Sequence, residues 1–182
     1  MSTPDVCQMT SPDNPHYADP DDRLFWPGPV QTSDTDERYT PRWVFDALAA
    51  RFDLDPAAAP GGANVPADKY YTADDDGLSR PWVGLVWLNP PFSNMPPWVD
   101  RWLAHHNGCL LFPWTDSEWH RRLLDAVPLV VLLDRPKFEH PTHTGRHVPV
   151  ACAVTALGDG LAPLQHLAAH ECGRALTVGW VA

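Results

Sequence analysis

An apolar run at residues 83–88 is ended abruptly by two consecutive prolines, and residues 85–92 read Leu-Val-Trp-Leu-Asn-Pro-Pro-Phe. Proline lacks the backbone N–H that an interior strand donates, so a buried strand cannot continue through Pro90 and Pro91. The run therefore predicts a buried strand of an α/β sheet. Ligands bind at the carboxyl ends of such strands. Asn89 and Phe92 are expected to lie in a binding site for this reason.

The residue types of this motif suit the binding of an amino group on a planar ring. The Asn89 side-chain oxygen and the Pro90 carbonyl can both accept hydrogen bonds from one exocyclic amine. Phe92 can stack on the ring that carries the amine. An amine held in this way directs its lone pair outward, toward an electrophilic methyl group. We therefore predict that the catalytic motif is formed by Asn89, Pro90, Pro91 and Phe92.

Composition and charge limit the function classes that fit this chain. The 182 residues suggest one domain, and the four scattered cysteines fit reduced thiols better than a disulfide framework or a zinc site. We find no signal peptide and no apolar run of membrane length, so we expect a soluble cytoplasmic protein. The net charge of −10 disfavours nucleic acid at first sight, but residues 1–37 hold eight acids and one base. The remainder is nearly neutral and can present a local basic face.

The chain divides into a tail and one domain. Residues 1–36 are rich in Pro, Asp and Ser, and we predict a disordered or loosely docked tail whose Leu24-Phe25-Trp26 patch could contact the domain or a protein partner. Residues 37–182 alternate between helical and strand patterns, which predicts an α/β domain with a mostly parallel sheet and helices on both faces. Helices are expected from Pro41, with Thr40 as N-cap, and at 96–106, 117–126 and 162–171; strands are expected at 52–55, 69–72, 83–88, 108–112, 129–133, 148–156 and 175–181.

The Asn-Pro-Pro-Phe sequence resembles the Asn/Asp-Pro-Pro-Tyr/Phe motif of amino-group methyltransferases that use S-adenosylmethionine. With its neighbours it resembles the phage-type DNA adenine N6-methyltransferases. The resemblance implies a Rossmann-like methyltransferase fold, S-adenosylmethionine as cofactor, duplex DNA as partner and direct methyl transfer to a flipped-out adenine in a bacterial host cytoplasm. The matching segments are Tyr39-Thr40-Pro41, Phe52 to Ala58, Tyr70-Tyr71-Thr72, Asp76-Gly77-Leu78, Trp82, Trp87 to Phe92, Pro97-Trp98-Val99 and Arg135 to Phe138.

The same resemblance implies a cofactor site along the first half of the domain. Asp55 and Ala57 follow the 52–55 strand, where an acid can pair with the ammonium of the methionine moiety and small residues admit the ligand. Asp74 and Asp76 come about twenty residues later, a spacing typical of carboxylates that bind ribose hydroxyls. An acidic surface loop and a solvated turn are the alternative interpretations. The segment predicted to cover the cofactor is Tyr39, Thr40 and Pro41.

Basic residues follow the apolar strand at 129–133. Arg135, Lys137 and Arg146 surround Phe138, and basic residues interleaved with an aromatic ring suit phosphate contact and stacking, so we predict that these three bind DNA. A plain solvated loop at 134–147 is the alternative. The spacings of His140, His143, His147, His166 and His170 match no common zinc site, and no metal is predicted.

Two rival functions remain open at this point. The same fold could methylate another planar amine, such as cytosine N4 or a glutamine amide, because the four-residue motif does not separate these acceptors. A catalytically silent relative could instead bind nucleic acid or a host factor. The acidic tail and the departure from a glycine-rich loop after Asp55 favour this second rival somewhat.

Overall fold

The computed structural model describes residues 38–62, 64–134, 136–138, 151–170 and 173–177, together with the backbone of residues 146–147. The tail predicted at residues 1–36 therefore lies outside the described residues. Arg135 and the histidines at 140 and 143 also lie outside them.

Nine strands and four helices make up the described part of the chain. The strands are β1 (Phe52–Asp55), β2 (Ala67–Tyr70), β3 (Val86–Leu88), β4 (Gly108–Pro113), β5 (Leu129–Leu133), β6 (Lys137–Phe138), β7 (Arg146–His147), β8 (Cys152–Leu157) and β9 (Gly173–Thr177). The helices are α1 (Arg42–Leu48), α2 (Met95–His105), α3 (Glu118–Ala126) and α4 (Leu161–Ala169).

Seven strands form one sheet in the order β2-β1-β3-β4-β8-β5-β9. β2, β1, β3 and β4 are parallel to one another. β8 runs antiparallel to both of its neighbours, β4 and β5, and β9 runs antiparallel to β5. Five of the seven strands therefore share one direction, which confirms the predicted α/β class with a mostly parallel sheet.

Helices cover both faces of this sheet, as predicted. Along β3 the side chains alternate, so Trp87 packs into the layer under α1 and α4, whereas Leu88 packs into the layer under α2 and α3. Leu111 and Leu110 of β4 divide between the two layers in the same way. The apolar side chains of the central strands are thus buried from both sides, which is why these strands read as continuous apolar runs.

The motif strand is shorter than predicted. The backbone N–H of Leu85 donates to a carboxylate oxygen of Asp53 at 2.6 Å, and Gly84 has a left-handed φ of 69°. A Cβ on Gly84 would lie 2.1 Å from that same oxygen, so the close approach requires glycine. Regular pairing with β1 and β4 therefore begins at Val86, not at residue 83.

Two further local predictions were wrong. Pro41, and not Thr40, is the N-cap of α1, because the buried Thr40 hydroxyl contacts the side-chain amide of Asn89 instead of a helix N–H. The predicted loop at 134–147 contains a two-stranded antiparallel ribbon, in which Lys137 pairs with His147 and Phe138 pairs with Arg146. Phe138 anchors this ribbon, since its side chain is buried in the core.

Among the described helices, none is long and apolar enough to cross a membrane.

Candidate functional site

A cavity of about 480 Å³ lies at the carboxyl ends of β1 and β3. Parallel neighbouring strands end at the same edge of a sheet, so the residues that follow them meet there. The wall combines the segment before α1, the loop after β1, the turn after β2 and the motif after β3. Its lining residues are Arg38 to Thr40, Asp55 to Gly62, Asn64, Val65, Thr72 to Asp74, Asp76, Gly77, Asn89, Pro91 and Trp98.

Most residues predicted for the cofactor line this cavity. They are Tyr39, Thr40, Asp55, Ala57, Asp74 and Asp76. Pro41 is not among the lining residues, because it is buried at the start of α1. Asn89 and Pro91 of the motif line the same cavity, whereas Pro90 is buried and Phe92 is half-buried beside it. One cavity thus brings together six of the seven residues predicted for the cofactor with Asn89 and Pro91 of the motif.

Asp55 places a buried carboxyl group in the cavity wall. Its side chain is 4% exposed, and one carboxylate oxygen accepts a hydrogen bond from the Ala57 N–H at 3.1 Å. Burial raises the pKa of Asp55 from its ordinary 3.8 to about 7, and the Ala57 hydrogen bond opposes the rise only in part. Within the described part of the chain, no basic side chain pairs with this carboxylate. A cationic group on a ligand could therefore pair with Asp55 once the carboxyl has lost its proton.

The buried Asp55 carboxyl predicts a pH dependence of stability. In the unfolded chain Asp55 keeps its ordinary pKa. Between roughly pH 4 and 7 the folded state therefore binds more protons than the unfolded state, so the free energy of unfolding falls as pH rises. Relative to Asp55→Asn, the wild type should lose up to about 4 kcal/mol of unfolding free energy between roughly pH 4 and 8, at about 1.4 kcal/mol per pKa unit. Urea unfolding across this range measures the difference. A difference that is constant with pH would contradict the prediction.

Glycines shape the two loops that face each other across the cavity. Gly61 and Gly62 have left-handed φ values of 79° and 65°, and a Cβ on Gly62 would lie 2.4 Å from the Tyr70 ring. A Cβ on Gly77 would lie 1.9 Å from the Pro56 carbonyl oxygen. The turn after β2 can therefore pack directly on the loop after β1. In a glycine-rich loop the glycines would follow Asp55 directly. Gly61 and Gly62 come later in this chain, but both still line the cavity.

The acidic turn divides its carboxylates between two roles. The Asp75 carboxylate accepts hydrogen bonds from both the N–H and the hydroxyl of Thr72 at 2.9 Å, and these bonds lower its pKa. Asp75 therefore stabilises the turn. Its neighbours Asp74 and Asp76 line the cavity and are exposed, so they are available to hydrogen-bond a ligand. Asp75 therefore fits the turn interpretation, whereas Asp74 and Asp76 remain the candidates for ligand binding.

Asn89 is held in one orientation by the segment before α1. Its amide nitrogen Nδ2 donates to the Arg38 backbone carbonyl at 2.7 Å and to the Thr40 hydroxyl oxygen at 3.3 Å. A carbonyl can only accept, so the nitrogen must face Arg38. The side-chain oxygen Oδ1 is then the atom of this amide that can accept a hydrogen bond from a bound amine. Sequence reasoning assigned Thr40 to the cofactor and missed its contact with Asn89.

Phe92 contacts both a cation and a second aromatic ring. The Arg38 guanidinium carbon Cζ is 5.0 Å from the Phe92 ring centroid. The Phe138 ring meets Phe92 edge to face, with centroids 6.2 Å apart and an interplanar angle of 86°. The ribbon that carries the exposed Lys137 is thus joined to the motif through Phe138. Sequence reasoning named Phe138 but did not anticipate its contact with Phe92.

Across the described ranges, no group of three or more His, Cys, Asp or Glu side chains could hold a metal ion.

Comparisons with known proteins identify the family of this chain. A relative, the DNA N-6-adenine-methyltransferase of Haemophilus phage HP1 (strain HP1c1), is 36% identical over 77 residues, which are 40% of this chain and 43% of the relative. The aligned region thus spans less than half of that relative's length. No solved structure shows a significant match. The family model described as DNA N-6-adenine-methyltransferase (Dam) matches residues 29–139, more than half of the sequence, so the chain belongs to this family.

Proposed function

We propose that this protein transfers a methyl group from S-adenosylmethionine to the N6 amine of an adenine that is flipped out of duplex DNA. The orientation of Asn89 is the observation that carries the proposal. Arg38 and Thr40 hold the amide nitrogen, so Oδ1 can accept a hydrogen bond from an amine, and Asn89 lines the same cavity as the buried Asp55. An acceptor group for the amine and a carboxylate for a cationic ligand therefore share one site.

The cavity fits S-adenosylmethionine in size and in chemistry. Its volume of about 480 Å³ lies within the range of roughly 300–1,000 Å³ that ligand pockets typically have. Asp55 pairs with the ammonium of the methionine moiety once its carboxyl, whose pKa burial raises to about 7, has lost its proton. Asp74 and Asp76 accept hydrogen bonds from the ribose hydroxyls, while Tyr39 and Ala57 contact the ligand surface. When bound, the cofactor supplies the electrophilic methyl group.

The motif residues position the acceptor. Asn89 Oδ1 and the Pro90 carbonyl accept the two N6 hydrogens, which directs the nitrogen lone pair toward the cavity. Phe92 stacks on the adenine ring. With the cofactor bound, the nitrogen–carbon bond would form as the carbon–sulfur bond breaks, which leaves S-adenosylhomocysteine, and the nitrogen would release one proton to water. No covalent intermediate with the protein is needed, so the rate gain comes mainly from alignment. Extrusion of the base from the duplex costs about a few kcal/mol.

The ribbon after β5 is proposed to contact the DNA backbone. Neutralising Arg135, Lys137 and Arg146 together should weaken duplex binding for all sequences, because phosphate contacts carry no sequence information. Each lost phosphate contact should reduce the log–log dependence of affinity on salt by about 0.9. Fluorescence anisotropy at several salt concentrations measures this slope. Lys69→Ala is the matched control, because Lys69 is an exposed lysine on β2, at the other end of the sheet. If the triple variant keeps the wild-type salt dependence, the ribbon does not contact the DNA backbone.

A labelled-cofactor assay tests the proposed reaction. The protein is incubated with duplex DNA and S-adenosylmethionine that carries a deuterated methyl group, and the digested nucleosides are analysed by mass spectrometry. Label in N6-methyldeoxyadenosine supports the proposal, whereas label in N4-methyldeoxycytidine would show a different acceptor. Absence of label, together with no thermal shift on adding S-adenosylhomocysteine, would indicate a catalytically silent binding protein.

A further inference from the structure

Arg38 contacts both groups that face the acceptor. Its backbone carbonyl accepts the Asn89 amide N–H at 2.7 Å, and its guanidinium carbon lies 5.0 Å from the Phe92 ring centroid. Asn89 and Phe92 follow β3, whereas Arg38 precedes α1, 51 residues earlier than Asn89 in the chain. One residue therefore connects the segment before α1 to both acceptor groups of the motif.

The location of the Arg38 side chain is unusual for a residue that binds DNA phosphates. Arg38 is half-buried and lines the cavity. Burial raises the pKa of the Cys152 thiol to about 12, and the Arg38 charge opposes that rise. Exposed basic residues reach phosphates more readily than one that contacts an aromatic ring and lines the wall of a cavity.

A stacking platform needs a defined plane, and two ring contacts add to the packing of Phe92 against both core layers. Phe138 meets the ring edge to face, and the Arg38 guanidinium lies over the ring itself. Without the guanidinium, Phe92 would keep only one of these two ring contacts, the one with Phe138. A tilted ring would misplace the stacked base relative to Asn89, and displacements of about 1 Å in such sites can cost roughly 100-fold in rate.

We propose that Arg38 is a positioning residue for the acceptor base, which it aligns by fixing the Phe92 ring with its side chain and the Asn89 amide with its carbonyl. The inference rests on the proposed function, because the base that Arg38 aligns is the methyl acceptor. It assigns Arg38 to the acceptor side of the site, although Arg38 also lines the cavity that would hold the cofactor.

A double-mutant cycle tests whether Arg38 acts through Phe92. Arg38→Ala, Phe92→Leu and the double variant are compared with the wild type in single-turnover methylation of duplex DNA. Arg38→Ala alone should lower the rate by roughly 10- to 100-fold. In the Phe92→Leu background the same change should lower it by less than about twofold, because coupled residues are not additive. Affinity for S-adenosylhomocysteine should stay within about twofold of the wild type, since the substitution alters the acceptor side.

Arg42→Ala is the matched control for loss of a positive charge near the same segment. Arg42 lies four residues later, its side chain is 74% exposed, and it pairs with Asp46 on α1, so its removal should leave the rate unchanged.

Equal losses of rate from Arg38→Ala in the wild-type and Phe92→Leu backgrounds would overturn the inference while leaving the proposed function intact. A wild type that methylates no DNA would refute the proposed function itself. Urea unfolding then compares the wild type, Arg38→Ala, Phe92→Leu and the double variant. Additive losses of unfolding free energy would also overturn the coupling between Arg38 and Phe92.

Discussion

Asn89→Ala is expected to lower the turnover number for methyl transfer by at least about 100-fold, as removal of one preorganised hydrogen-bonding group in an active site typically does. Arg38 and Thr40 hold the amide nitrogen, which leaves Oδ1 to accept from the amine. Alanine removes that acceptor, so the amine loses its alignment with the methyl group. Affinity for S-adenosylhomocysteine should change by less than about twofold, because the role proposed for Asn89 is to bind the acceptor amine. Single-turnover kinetics and calorimetry measure the two quantities.

Asn94→Ala is the matched control for this substitution. Asn94 lies five residues later, is exposed, and makes no side-chain hydrogen bond to the start of α2. We expect its turnover to equal that of the wild type. Near-normal turnover of Asn89→Ala would show that another group binds the amine.

Asp55→Asn is expected to weaken the binding of S-adenosylmethionine by roughly 10- to 100-fold, the loss that one charge-assisted hydrogen bond accounts for. The carboxylate is 4% exposed, so little water is present to screen its attraction for the ligand ammonium. In the wild type, affinity should rise with pH up to about 7, because the carboxyl must lose its proton to pair with the ammonium. Calorimetry between roughly pH 5.5 and 8.5 measures both effects.

Asp53→Asn separates a loss of stability from a loss of binding. Asp53 lies two residues earlier on β1, and its carboxylate accepts the Leu85 N–H. The variant should unfold more readily, while its folded fraction binds the cofactor normally. If Asp55→Asn keeps wild-type affinity at all pH values, the ammonium must be bound elsewhere.

Local sequence patterns predicted most of the sheet. β1 and β5 have the predicted bounds: β1 alternates Phe52 and Leu54 with two aspartates and ends before Pro56, whereas β5 is an apolar run followed by Asp134. The two prolines also located the end of β3 and the edge of the sheet where the cavity lies. Spacing made Asp74 and Asp76 candidates for ribose binding, and both line the cavity, although it could not show that Asp75 caps the turn.

The contacts that orient the acceptor groups could not be predicted in this way. Thr40 and Asn89 are 49 residues apart in sequence, and a Thr-Pro pair before a helix is already explained by helix capping. The Arg38–Phe92 and Phe92–Phe138 contacts also depend on how separate elements pack. The ribbon at Lys137–Phe138 and Arg146–His147 is too short to produce a periodic pattern, so sequence reasoning treated it as a loop.

Base mapping in living cells tests the central claim most directly. The wild type and Asn89→Ala are expressed in a bacterial host that lacks DNA methylation, and modified bases are located by single-molecule sequencing. We predict N6-methyladenine within a defined sequence context for the wild type and at least about 100-fold less for Asn89→Ala at equal protein level. Unmodified DNA from the wild type, or equal adenine methylation in both strains, would contradict the assignment of Asn89 as the group that binds the methylated amine.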